Sequence, residues 1–173
     1  MIETDRLTIR RFTESDFMDL NEYLSDPLTY VFEPGRPISI NQARRLAAKR
    51  SKRSDFLGVI LKENKKLIGH LYFKKIEPKE FLTWEIGYIF NPAYQGKGYA
   101  SEASAALVDF AFKHLSVHRI MARCNPENVA SWKLLERIGL KREGHFAKYG
   151  FTHKDESGNP IWTDAYEYSI VRE

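Results

Sequence analysis

Asn91-Pro92-Ala93-Tyr94-Gln95-Gly96-Lys97-Gly98-Tyr99-Ala100-Ser101-Glu102-Ala103 joins a long apolar run to a long helical pattern, and its reading decides the fold. Upstream, Phe81-Leu82-Thr83-Trp84-Glu85-Ile86-Gly87-Tyr88-Ile89-Phe90 is aromatic and β-branched, which predicts a strand. Gly87 inside it marks a bulge or a close backbone approach. Downstream, Ala103, Leu107, Phe110 and Ala111 fall on one helical face. Between the two, Gly96, Gly98 and Ala100 let the backbone turn tightly and come close to a ligand. The first N–H groups of the helix lack intrahelical partners and, with the helix dipole, form a cradle for a pyrophosphate. An ordinary strand-to-helix turn with glycines for steric reasons uses the same residues. Two rival phosphate motifs fit worse. The Gly-Lys pair lacks the upstream glycine and following Ser/Thr of a P-loop, and the dinucleotide fingerprint lacks its third glycine.

Working outward, Leu7 to Phe12 alternates as a half-buried strand, and Thr13 offers a cap to a helix whose Phe17, Leu20 and Leu24 share a face. A second helix is predicted from Asn41 to Arg50 after Ser39, with Phe32–Pro37 irregular between them. Phe56–Leu61 and Leu67–Lys74 read as a hairpin. Beyond the long helix come a strand at Ile120–Cys124, a helix at Ser131–Ile138 stopped by Gly139, and closing strands at Leu140–Tyr149 and Ile161–Val171. This order predicts a mixed α/β fold. Residues 1–173 read as one domain, without internal repeat or linker.

Composition narrows the classes. A chain of 173 residues with 43% hydrophobic and 13% aromatic content has ample material for a core and does not read as disordered. No apolar run approaches the roughly 20 residues of a membrane span, and Met1–Arg6 lacks the layout of a secretory signal. A single cysteine, Cys124, forms no internal disulfide, so a cytoplasmic location is expected. The net charge of +4 suits either nucleic acid or a polyanionic small molecule. The basic cluster Lys49-Arg50-Ser51-Lys52-Arg53 reads as a solvated helix end with cations near the negative dipole terminus. No RNP-type aromatic motif or GXXG loop supports RNA binding, so no direct nucleic-acid contact is expected. The five histidines show no metal-ligand spacing, and no metal is expected.

Gln95-Gly96-Lys97-Gly98-Tyr99-Ala100 resembles the Gln/Arg-x-x-Gly-x-Gly/Ala loop of the GNAT superfamily of acetyltransferases. Trp84-Glu85-Ile86-Gly87-Tyr88, His118-Arg119-Ile120, Asn125–Ser131, the opening Thr4–Arg10 and the late Gly139–Gly144 are similar to the RimJ/RimL-type branch, in matching order over nearly the whole chain. The resemblance implies a single GNAT-like domain, a strongly twisted mixed sheet with helices on both faces. It implies acetyl-CoA as cosubstrate, held where two central parallel strands splay. The residues implied at that site are Ile89, Phe90, Gln95, Gly96, Lys97, Gly98, Tyr99, Ala100, Ser101, Asn128 and Ser131. It further implies direct attack by a primary amine within a ternary complex. The first choice of acceptor is a protein N-terminal α-amine, as on ribosomal proteins. A small amine (polyamine, amino acid or aminoglycoside) and a non-catalytic acyl-CoA-binding module are the alternatives. Monomer and homodimer both fit.

Individual residues carry competing readings. Glu85, mid-strand between Trp84 and Ile86, is placed for desolvation to raise its pKa towards that of a general base. The resemblance implies that role, often through water; a carboxylate facing solvent or pairing across strands is the other reading. Many superfamily members carry a tyrosine as thiolate acid at the position that is Leu135 here; the branch pattern offers Ser131 instead. Asn128 and Ser131 also read as helix caps. Cys124 on an apolar strand reads as an inert buried thiol rather than an acyl carrier. Trp132, Phe110 and Phe112 read as core. Trp162 and Asp164, near the end of the chain, read equally as acceptor-pocket groups or as a packing aromatic and a surface acid.

Overall fold

In the computed structural model, which describes residues 1–172, all strands belong to one eight-stranded sheet of order β1-β2-β3-β4-β5-β6-β8-β7. The strands are β1 (Ile2–Glu3), β2 (Leu7–Arg11), β3 (Phe56–Leu61), β4 (Leu67–Lys75), β5 (Thr83–Phe90), β6 (Arg119–Cys124), β7 (Lys141–Gly150) and β8 (Thr163–Val171). Every neighbouring pair is antiparallel except β5–β6. Helices α1 (Phe17–Leu24) and α2 (Ile40–Ser51) lie between β2 and β3, α3 (Tyr99–His114) between β5 and β6, and α4 (Val129–Arg137) between β6 and β7.

Strand alternation divides the core into two layers. Val59, Leu61, Ile68, Leu71, Phe73, Ile86 and Phe90 face Ala103, Leu107 and Ala111 of α3 and Leu135 of α4. Ile60 and Leu67 face Leu20, Tyr23 and Leu24 of α1 and Ala47 of α2, with Phe12 in the same cluster. Successive strand residues thus serve opposite helical layers. α2 starts as read, with Ser39 accepting from the Gln42 N–H at 3.4 Å. α4 starts two residues before the expected Ser131, because the Asn128 side chain already accepts from the Ser131 N–H. Gly87 marks no bulge: the β4–β5 register is unbroken from Gly69↔Phe90 to Lys75↔Trp84. The close backbone approach is at Gly69, where a Cβ would lie 2.7 Å from the Ile89 carbonyl oxygen and from the Phe90 ring.

His70 is buried beneath α1, with its Nδ1 2.8 Å from the Tyr23 hydroxyl. Burial, and then the Arg50 charge, push its pKa well below the ordinary 6.5. The unfolded chain therefore binds a proton near pH 6.5 that the folded chain refuses. That contribution to stability is complete above about pH 6.5 and is lost as the pH falls below it. Melting temperature measured from about pH 8 to about pH 5 should fall more steeply in the wild type than in His70→Gln, which keeps a partner for Tyr23; parallel curves would contradict this.

Candidate functional site

The strand–helix junction adopts the predicted geometry. Gly96 and Gly98 have φ of +74° and +80°, left-handed values that disfavour a side chain, and Gly98 is the residue immediately before α3. Gln95–Gly98 are exposed. Among the described residues, the N–H groups of 96–101 donate to no backbone or side-chain acceptor; the first helical bond is Glu102 N–H to the Gly98 carbonyl at 3.0 Å. Six consecutive free donors at a helix N-terminus fit the two charged phosphates of a pyrophosphate. Of the side chains, Gln95 is turned inward, its Nε2 donating to the Phe90 carbonyl at 3.1 Å, so it braces the loop. Ser101 Oγ accepts from Arg137 at 2.7 Å, which ties α4 to the start of α3.

The brace on the other side was not legible locally. Arg6 donates to the Lys97 carbonyl at 3.0 Å, pairs with Glu102 at 2.6 Å, and lies 4.5 Å over the Tyr99 ring. Thr4 Oγ1 donates to Glu102 at 2.6 Å. Hydrogen bonding holds the Glu102 carboxyl below the usual range against the opposing, largest effect of burial. These contacts join residues almost a hundred positions apart and explain what the opening segment does for the loop.

β5 and β6 pair only from Thr83↔Arg119 to Glu85↔Met121 and then part, while β6 stays paired with β8 as far as Cys124. The edge of β5 from Ile86 to Phe90 is therefore free to accept a ligand between the strands, and it includes the backbone of Ile89 and Phe90. Glu85 is half-buried at the root of this opening, across from Lys74 on β4 and Met121 on β6. On the helical side of the opening, the Tyr88 hydroxyl lies 2.9 Å from Ser131 Oγ and donates to the Ser131 carbonyl at 3.1 Å. Asn128 Oδ1 caps the Ser131 N–H at 3.1 Å, so the Ser131 hydroxyl is not spent on capping and Asn128 is. Leu135, at the position of the more widespread tyrosine, is fully buried core. Tyr88 thus brings a tyrosine hydroxyl from β5 to Ser131, a contact the sequence reading did not single out.

Burial pushes the Tyr88 phenol well above its ordinary range; the Ser131 hydrogen bond opposes this, and the charges of Cys124 and Glu33 add to it. A phenol so raised keeps its proton at neutral pH and can serve as a donor. Burial also pushes the Cys124 thiol up to about 11, opposed in part by a hydrogen bond from Ser131, which leaves it unsuited to carry an acyl group. Asp164 is occupied by His145 at 2.7 Å and the Lys148 N–H at 2.9 Å, whereas Trp162 is exposed with its ring edge-on to Phe151. Among the described residues there is no group of three or more His, Cys, Asp or Glu that could hold a metal, and no helix is long and apolar enough to cross a membrane.

Comparison with known proteins agrees with this geometry. The family model described as "Acetyltransferase (GNAT) domain" matches residues 6–141. The chain is 39% identical over 173 residues to the uncharacterized N-acetyltransferase YnaD of Bacillus subtilis, covering 99% of this chain and 97% of that protein. It is 28% identical to the [Ribosomal protein uS5]-alanine N-acetyltransferase of Escherichia coli, covering 86% and 81%. The crystal structure of a GNAT-family acetyltransferase from Bacillus anthracis superposes with a TM-score of 0.87 at 38% identity, covering 98% of this chain and 97% of that one. With free N–H groups at the start of α3, a splayed strand pair and this breadth of similarity, the chain belongs to the GNAT family and is an N-acetyltransferase that takes its acetyl group from acetyl-CoA.

Proposed function

We propose that the acceptor is the α-amine of a polypeptide N-terminus, acetylated by direct attack within a ternary complex. The observation that carries this reading is an exposed apolar rim. Phe146, Tyr149, Phe151, Ile161 and Trp162 of the last hairpin and its connection are each at least 41% exposed, as are Leu28 and Val31 of the α1–α2 connection. The two segments meet where His153 Nε2 donates to the Val31 carbonyl at 3.2 Å. Exposed aromatic groups gathered in this way suit a polypeptide better than a small polar amine. The similarity to a ribosomal-protein alanine N-acetyltransferase points the same way.

In this reading Glu85, directly or through a water molecule, takes the proton of the attacking amine. The nitrogen bonds to the thioester carbonyl carbon, and backbone N–H groups near Ile89 and Phe90 stabilise the charge developing on its oxygen. As the carbon–sulfur bond breaks, the sulfur takes a proton from the Ser131 hydroxyl, which Tyr88 backs. Holding both substrates in the opening supplies much of the remaining rate. Incubating the enzyme and acetyl-CoA with short peptides bearing free N-termini, alongside polyamines, amino acids and aminoglycosides, tests the acceptor. N-terminal acetylation of the peptides at the highest kcat/KM is expected; exclusive turnover of a small amine would overturn the proposal.

Ser131→Ala and Tyr88→Phe should each lower kcat by roughly tenfold with little change in acetyl-CoA KM, since each removes an interaction that matters as the thiolate leaves. Because Asn128 does the capping, Ser131→Ala should stay within about 0.5 kcal/mol of wild-type stability, whereas Asn128→Ala should lose about 1 kcal/mol. A melting temperature lowered in Ser131→Ala with kcat unchanged would remove it from the reaction.

A further inference from the structure

Glu102 lies in the first turn of α3 and is the one acid in the stretch Asn91–Ala103. A carboxylate at that place suits the helix dipole. It does not suit a ligand whose phosphates would share the same helix end, because like charges there oppose each other. The carboxylate is only 20% exposed and is fully engaged by the opening segment of the chain. Its Oε1 accepts from Thr4 Oγ1 at 2.6 Å and from the Arg6 backbone N–H at 3.1 Å. Its Oε2 accepts from Arg6 Nε at 2.7 Å and lies 2.6 Å from Arg6 Nη2.

The same guanidinium also acts on the loop. Nη1 donates to the Lys97 carbonyl at 3.0 Å, and Nη2 lies 3.5 Å from where a Cβ on Gly98 would sit. The Lys97 carbonyl and the Gly98 N–H are opposite ends of one planar trans peptide, so fixing the first aims the second. The Gly98 N–H is one of the free donors of the loop. Arg6 is itself held in place: its carbonyl accepts from the Lys62 N–H at 2.9 Å, and its guanidinium rests 4.5 Å over the Tyr99 ring. With the Arg6 side chain 47% exposed, the ion pair adds little to folding stability by itself, and its effect falls on what comes to the loop. We propose that Arg6 is a positioning residue for acetyl-CoA, cancelling the Glu102 charge beside the diphosphate and aiming the Gly98 N–H at it. This rests on reading the start of α3 as the pyrophosphate cradle.

The test is a double-mutant cycle read by titration of CoA into the protein, with melting temperature reporting the fold of each variant. Arg6→Gln leaves the carboxylate without its cation and should weaken CoA binding by roughly tenfold. Glu102→Gln, which removes the negative charge, should bind CoA at least as tightly as the wild type. The double variant Arg6→Gln/Glu102→Gln should return to within about threefold of wild type, and Arg6→Lys, which keeps the charge, should recover part of the loss. Raising the salt from about 0.05 M to about 0.5 M should shrink the deficit of Arg6→Gln, as screening weakens the repulsion. In steady state the loss should appear in acetyl-CoA KM, with kcat within about twofold. A simple anchor of the opening segment predicts otherwise: a lowered melting temperature in Arg6→Gln, unchanged CoA affinity per folded molecule, and a double variant no better than the single. Any of the last two results would overturn the role of Arg6. Loss of CoA binding in Gly98→Val together with normal binding in Arg6→Gln would leave the cradle standing and overturn Arg6 alone, whereas undiminished binding in Gly98→Val would overturn both.

Discussion

Gly98→Val is expected to abolish the thermal stabilisation that CoA or acetyl-CoA gives the wild-type chain. At a ligand concentration of about 100 times Kd, the wild type should gain roughly 2.7 kcal/mol by mass action. Gly98 has φ of +80°, which a β-branched residue adopts only under strain. An added Cβ would meet only Arg6 Nη2, at 3.5 Å, so the protein itself has room for it and steric blockage of folding is not the issue. The strain is relieved by rotating the loop, which re-aims the free N–H groups of 96–101. Gly158→Val is the matched control: Gly158 has φ of +83°, nothing within 4 Å of a Cβ, and a place in the exposed 154–160 loop. That variant should lose similar stability but keep the ligand shift. An undiminished shift in Gly98→Val would sink the cradle assignment.

Glu85→Gln should lower kcat by roughly 10²-fold while leaving CoA affinity nearly intact. The substitution keeps the shape of a half-buried side chain at the last paired position of β5 and β6, and removes only its basicity. The effect should fall on kcat and kcat/KM together, with acceptor KM little changed. Unchanged turnover at neutral pH would place the base elsewhere.

The two site components differ in how they are encoded, and so in how legible they were. The proposed cradle is local: two glycines, a strand before and a helix after are all within Phe81–Ala111, so the strand–turn–helix geometry was legible from the sequence. Strand alternation likewise gave most element bounds to within a residue or two, as for Phe56–Leu61 and Leu67–Lys75. Contacts between distant residues carry no such signature. Arg6 with Lys97 and Tyr88 with Ser131 each join segments more than 40 residues apart. Tyr88 read as one more aromatic in a strand. Neither a bulge nor a close backbone approach is found at Gly87: the register runs through it unbroken and a Cβ there would lie 3.7 Å from Tyr72, whereas Gly69 is where two strands come too close for a side chain.

Direct transfer within a ternary complex is tested most directly by following thiol release when the enzyme is mixed with acetyl-CoA, with and without the amine acceptor, while the intact protein is analysed by mass spectrometry. Thiol should appear only when the amine is present, with one N-acetylated product for each thiol released and no acetyl group on the enzyme. A burst of thiol without amine, together with acetylation of Cys124 or any other side chain, would contradict the account.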